Sequence, residues 1–436
     1  MAHRQVETLE LSSDADVAHV NLLLQDLERQ EPREDDIPPS TPKADTLFSY
    51  VLSKGSLTLL KDGKRDAATT SLISSVVRRP LRLYIPTLGV TLAYAILIHA
   101  PFGLVPESSW APPKLTLIAE ILNWIVESVK FFNPFQIHGS NRAWYSYNLV
   151  VWTIPIELKG SMLVYGLVAV YAFSRLSLLA SLALLGFAAL VLLYLGIWTM
   201  ACFMAGLLLA YNDVYSLDTT YITRRLTQRT QTILEHGVFF TGYYLLCQPA
   251  HDGHPEYSLD TLGWHYLTLL VPGAYDKSQF YRFWHSYGAF FVVFSTLRIS
   301  WLQRFLNTRP LRYLGKVSFM LYLIHLSILN IFGNRIARLL GQVWMGAEES
   351  WWDNRLYIPD FGPVGMSSRF LVCLVVMLAI CLGIADFGTK TLDTPSVRLG
   401  KWLVQRLRMD ERVAVRKEAE VAASLPEPLI HAPIPS

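Results

Sequence analysis

The sequence predicts an all-α fold, a polytopic membrane helical bundle of about eight transmembrane helices, and three observations carry that prediction. Hydrophobic residues make up 52% of the 436-residue chain and charged residues only 17%, against about 25% charged in soluble domains. The apolar residues cluster: Ser177–Tyr211 contains no charged side chain, and a run of about 20 such residues crosses the ~30 Å hydrocarbon core. Basic residues gather between the apolar runs, where the positive-inside rule expects them on one face. This balance argues against a soluble enzyme, a nucleic-acid reader and a disulfide scaffold.

Residues 1–45 read as an acidic, largely disordered cytosolic head. Four basic and eleven acidic side chains give it a charge of −7, which leaves +10 on the remainder of a chain whose net charge is +3. The head lacks the apolar core of a signal peptide, although Val17, Val20, Leu23, Leu24 and Leu27 fall at the spacing of a short amphipathic helix. Residues 46–60 make a partly apolar patch too short to span. Spans are expected at about 85–105, 149–172, 178–195, 197–211, 232–249, 283–301, 317–335 and 369–390. The third and fourth adjoin so closely that they form either a tight hairpin or one broken helix. The Trp- and Phe-rich stretch at 106–148 is expected to lie on the outer interface, and 409–436 to form a cytosolic tail.

The basic clusters order these spans. Arg78, Arg79 and Arg82 precede the first, Arg224, Arg225 and Arg229 follow the fourth, Arg304, Arg309, Arg312 and Lys316 follow the sixth, and Arg398, Lys401, Arg406 and Arg408 follow the eighth. With eight spans all four clusters face the cytosol, and so do both termini. The four cysteines, Cys202, Cys247, Cys373 and Cys381, have no metal-ligand spacing and read as packing thiols. His251 and His254 have a ligand-like separation without a carboxylate motif, so no metal is expected.

Glu157 is the most informative residue. A charge inside a span costs roughly 2.5–3.5 kcal/mol on insertion scales and normally marks a site or a pair. It lies about eight residues, or ~12 Å, inside the outer end of its helix. Thr153 and Ser161 share its face, at i−4 and i+4, and Pro155 removes a helical hydrogen bond beside it. Glu157 is either a structural ion pair with Lys159 or an arginine of another helix, or a carboxylate that orients a histidine or accepts a proton. His325 is the best placed of the eleven histidines, with Tyr322 at i−3 and Ser318 at i−7 on one helical face. It is either a polar contact between helices or a neutral imidazole that takes a hydroxyl proton while Glu157 holds its tautomer. His99 and His236, near span ends, read as structural.

Four stretches, in order, resemble acyltransferase family 3, integral membrane O-acyltransferases, and especially its fungal branch. Trp152-Thr153-Ile154-Pro155-Ile156-Glu157-Leu158-Lys159-Gly160-Ser161-Met162 is similar to the family signature. Val76-Val77-Arg78-Arg79-Pro80-Leu81-Arg82-Leu83 resembles its cytosolic arginine motif. Leu314-Gly315-Lys316-Val317-Ser318-Phe319-Met320-Leu321-Tyr322-Leu323-Ile324-His325 resembles its late helix, ending in Tyr-Leu-x-His, and Asp393-Thr394-Pro395-Ser396-Val397-Arg398 its C-terminal signature. The resemblance runs over the membrane domain, 46–408. Family members open with a transmembrane helix carrying an arginine and a histidine taken as the base. Nothing like it precedes Leu47-Phe48-Ser49-Tyr50-Val51-Leu52-Ser53, which resembles the family's second helix.

The resemblance implies an enzyme that moves an acyl group from acyl-CoA to a hydroxyl of a small metabolite, sugar or lipid. Arg78, Arg79 and Arg82 are either membrane-surface anchors or a grip on the phosphates of acyl-CoA, for which arginine forks are well shaped. Glu157, His325 and Tyr322 are then the candidate catalytic residues, with Tyr322 or Lys159 donating to the oxyanion. Trp152 and Lys159 join the arginines as candidate binding residues. No cofactor is expected beyond acyl-CoA as donor substrate, and the partners are that donor, an acceptor and the lipid bilayer, with no nucleic acid. The expected location is the ER or another endomembrane, or the plasma membrane. Two alternatives stand beside the enzyme: a catalytically impaired relative, because the first-helix histidine is absent, and a transporter built on the same intramembrane carboxylate and histidine.

Overall fold

A computed structural model describes residues 42–100, 113–133, 145–174, 177–217, 226–249, 255–275, 279–343, 349–362 and 367–407. The amphipathic stretch expected at 17–27, the tail, Arg224, Arg225, Arg408 and the His251/His254 pair lie outside these residues. The described regular elements are all helical: α1 (Pro42–Lys61), α2 (Arg65–Leu97), α3 (Leu117–Phe131), α4 (Thr153–Phe173), α5 (Leu178–Tyr194), α6 (Trp198–Tyr215), α7 (Gln228–Leu246), the short α8 (Pro255–Leu259) and α9 (His265–Leu269), α10 (Arg282–Thr296), α11 (Ser300–Leu306), α12 (Arg309–Ile328), α13 (Asn334–Leu339) and α14 (Ser368–Gly388).

Each of the eight expected spans meets a helix. Among the described residues four stretches, Arg65–Leu97, Leu149–Phe173, Arg309–Leu339 and Ser368–Leu407, are long and apolar enough to cross a membrane. The pair α10 and α11, bent by 93°, would make a fifth. The Arg298 guanidinium folds back at that bend, donating to the Phe294 carbonyl at 3.0 Å and covering the Phe294 ring. The arginine motif lies inside α2, not ahead of a helix, because α2 starts twenty residues before the expected span at 85 and carries Pro80 and Pro86 within it. The 46–60 patch belongs to a 20-residue helix. The expected interface segment contains the 15-residue α3, about 22 Å long and too short to span. Between α5 and α6 the chain makes a tight turn, with Gly196 at φ +78° and Ser177 capping the start of α5. The hairpin is therefore the form taken.

The chain divides into two compact units. The first holds the chain up to Leu72 and Trp152–Tyr322. In it, α4, α6 and α10 run in the same direction. Trp152, Trp198, Phe283 and Tyr287 cluster at their N-terminal ends, while Tyr171 and Tyr215 join through hydroxyls 3.0 Å apart at the other. Helices in lipid gain little from burying apolar surface and associate through close packing of small residues. Accordingly, Gly160 of α4 lies against the Phe203 ring of α6, and Gly242 of α7 meets the backbone of α10 at Gly288. α1 crosses α6, with the Ser49 hydroxyl on the Phe203 carbonyl and Lys54 2.6 Å from Asp213.

The second unit holds Ile73–Phe131, the approach to the signature up to Val151, and the chain from Leu323. In it, α2 packs on the far part of the last helix: Gly89 lies under Leu392, and Gly400 under Arg78. Two π turns, Leu329–Gly333 and Thr389–Asp393, interrupt the last two long helices.

Candidate functional site

In the first unit, Pro155 sits in the opening turn of α4, where no intrahelical donor is lost. Glu157 is buried, 5% exposed, below it, and the Ser161 hydroxyl donates to the Glu157 backbone carbonyl at 2.7 Å. Lys159 is half-buried two positions on. Thr153 reaches across to α12, where its hydroxyl and that of Tyr322 are 2.7 Å apart. This bond joins the signature helix to the Tyr-Leu-x-His helix. Trp152 packs against Leu193, Trp198, Ala201 and Cys202 with Tyr275, Phe283 and Tyr287.

In the second unit, Arg79 is 2% exposed and Arg78 and Arg82 are half-buried. A merely anchoring arginine would snorkel to water. Arg82 Nε lies 3.8 Å from a carboxylate oxygen of Asp393, so the arginine motif and the C-terminal signature form one cluster. His325 is half-buried. Nearby in the same unit, the buried Asn148 amide donates to the Leu323 carbonyl at 2.7 Å.

The structure also holds a polar network that the sequence reading did not assemble. His99 Nε2 lies 3.2 Å from Glu120, whose other oxygen accepts the Tyr147 hydroxyl at 2.6 Å. The Lys114 N–H donates to Glu120 at 2.7 Å, and the Asn123 amide to the Tyr147 oxygen at 2.9 Å. His99 is thus the partner of a buried carboxylate. The signal was available: Glu120 is an acidic residue inside the apolar run Leu115–Val126, the criterion that singled out Glu157.

Burial pushes the Glu120 carboxyl up, but the Tyr147 hydroxyl, the Lys114 N–H and His99 outweigh it and hold the group below the ordinary carboxylate value. Burial and the adjacent Glu120 push the Tyr147 phenol up, against the Asn123 hydrogen bond. A carboxylate with a depressed folded-state value stabilises the fold above its unfolded value and loses that contribution as pH falls through the folded one. The thermal midpoint of the detergent-solubilised protein should therefore fall on acidification below about pH 4.5. Glu120→Gln should flatten that acid limb and cost about 1.5–3 kcal/mol at neutral pH, the range for hydrogen bonds to a charged group. An unchanged acid limb would show that the network contributes nothing.

Among the described residues, no group of three or more His, Cys, Asp or Glu side chains could hold a metal ion.

The acyltransferase domain of acyltransferase family 3 matches residues 50–386. The O-acetyltransferase PaAT-1 of Phomopsis amygdali is 26% identical over 404 residues, covering 84% of this chain and 74% of that one. The acyltransferase clz18 of Cochliobolus lunatus is 29% identical over 202 residues, 43% of this chain and 40% of that one. No solved structure matches the chain.

Proposed function

The chain belongs to acyltransferase family 3, and from that premise we propose that it transfers an acyl group from acyl-CoA to a hydroxyl of a small metabolite, sugar or lipid. The relative from Phomopsis amygdali is an O-acetyltransferase, which favours a short acyl chain. The observation that carries the reading is the Thr153–Tyr322 hydrogen bond, because it brings together two motifs that are 169 residues apart and that the family resemblance names separately.

In this reading the acceptor O–H gives its proton to His325 as its oxygen attacks the thioester carbonyl. Tyr322 or Lys159 donates to the oxyanion. Collapse then breaks the C–S bond, completes the ester and releases the CoA thiolate, which takes up a proton. Glu157, the buried carboxylate of the signature helix, is the second acid–base group of the proposal. Arg78, Arg79 and Arg82 hold the CoA phosphates, with Asp393 setting the direction of Arg82, and Trp152 lines the acceptor side. The proposed topology is eight spans with both termini in the cytosol, in the ER, another endomembrane or the plasma membrane.

The test is transfer of a radiolabelled acetyl group from acetyl-CoA to extractable acceptors in membranes carrying the full chain. Arg82→Gln should raise KM for acetyl-CoA about tenfold with kcat within about twofold, the pattern of lost uniform binding. No incorporation above the level of empty membranes would reject the enzyme reading. An unchanged KM would remove the arginine motif from donor binding.

A further inference from the structure

In the first unit, the α4, α6 and α10 ends that carry Trp152, Trp198 and Arg282 form an aromatic cluster with one charge in it. The Arg282 guanidinium lies 4.7 Å from the centre of the Trp198 ring and 4.9 Å from that of Tyr281. Among the described residues its buried Nε has no hydrogen-bond partner and no carboxylate forms an ion pair with it. The surroundings are fixed by their own bonds. The Trp198 indole donates to Gln279 at 3.4 Å, the Tyr275 hydroxyl donates to the Leu193 carbonyl at 2.7 Å, and Phe283 packs edge-on against Tyr275 and Tyr287.

Two aromatic faces compensate part of the charge of a partly desolvated guanidinium. Among the described residues no acceptor takes a hydrogen bond from its side-chain N–H groups, and such donors match a carboxylate in a two-point fork. The arginine is partly open to solvent, so a ligand can reach it. The three helices whose N-termini meet here add positive potential of the same sign. Trp152, the first residue of the family signature, packs in the same cluster, which ties the cluster to the acceptor side of the proposed reaction.

We propose that Arg282, held between Trp198 and Tyr281 beside Trp152, binds the carboxylate of an acceptor that carries both an acid group and a hydroxyl, with the aromatic cluster taking the acceptor's ring or hydrocarbon body. The assignment of that ligand as an acceptor rests on the acyltransferase reading, but binding itself does not. The site selects hydroxy acids over neutral alcohols. It is distinct in sequence and in unit from the arginine motif at 78–82.

The experiment is calorimetric titration of the full chain, purified in neutral detergent without any acyl donor, with 4-hydroxyphenylacetate and with its methyl ester. The acid should bind at least about tenfold more tightly than the ester, as one charge-assisted fork implies. Arg282→Gln should bring the two affinities within about twofold of each other, and Arg282→Lys should keep an intermediate preference. The Gln variant must elute as the same monodisperse species as the wild type. Equal binding of acid and ester, no binding of either at millimolar concentration, or a preference that survives in Arg282→Gln overturns the proposal. Acetyl transfer measured separately reports on the enzyme reading. A binder without transfer rejects that reading alone, and transfer without acid preference rejects this site alone.

Discussion

Glu157→Gln should lower acyl transfer by about 10²–10⁴-fold, the usual range for a lost acid–base group, while the protein still inserts and elutes normally. The carboxylate is buried in an apolar helix, and Gln keeps its shape and removes its charge. The effect should therefore fall on kcat more than on KM for the donor, since nothing in this role holds CoA. Combining Glu157→Gln with His325→Ala should cost little more than the worse single change if both act in one proton transfer, because groups that act as a unit are far from additive. Labelled transfer in matched membrane preparations decides it. Full activity in Glu157→Gln would remove this carboxylate from the mechanism and leave the structural ion pair as its role.

The second large effect is steric. Gly160→Ala should cost several kcal/mol of stability, because its methyl group would overlap the Phe203 ring, which is fully buried between α4 and α6. Overpacking of this kind usually costs about 1–3 kcal/mol. Here the ring has little room to turn, since its own backbone carbonyl is tied to Ser49 of α1. The thermal midpoint should drop, and activity should fall with it as Glu157, three residues away, is displaced. Phe203→Leu, a smaller apolar residue, should restore part of both in the double variant. A Gly160→Ala protein as stable as the wild type would mean that α4 and α6 separate freely at this level.

The helical class was legible, because apolar run length is a direct reading of what lipid demands of a backbone. The turn at 195–197 was legible as a place and ambiguous as a form, since a run of 35 uncharged residues contains no charge to mark a hairpin. Glycine resolved it, through a positive φ at Gly196. The start of α2 was missed for a different reason: residues 65–84 hold arginines, serines and threonines, and a hydropathy criterion discards a helix that its neighbours stabilise. α3 was hidden in the same way by the aromatic, partly polar composition around it.

Side-chain pairings between helices were not legible. Glu157 and Tyr322 stood out by type and spacing, whereas Arg82–Asp393 and His99–Glu120 join positions 311 and 21 residues apart. Periodicity along one helix carries no information about which helix it will meet. The family resemblance placed both arginine motif and C-terminal signature without saying that they touch.

The π turn at Thr389–Asp393 bears on how this last helix tolerates change. Its buried positions include Met377, Cys381, Ala385, Thr389 and Asp393, a repeat of four. On an uninterrupted α-helix a four-residue repeat wanders by about 40° at each step. The wider turn absorbs part of that drift, so one side of the helix keeps facing its neighbours down to the carboxylate that meets Arg82. What the turn preserves is residue count. Exposed Lys390 and Thr391 can vary in kind, but removing either one would close the turn to ordinary α geometry and swing Asp393 away from the arginine it serves.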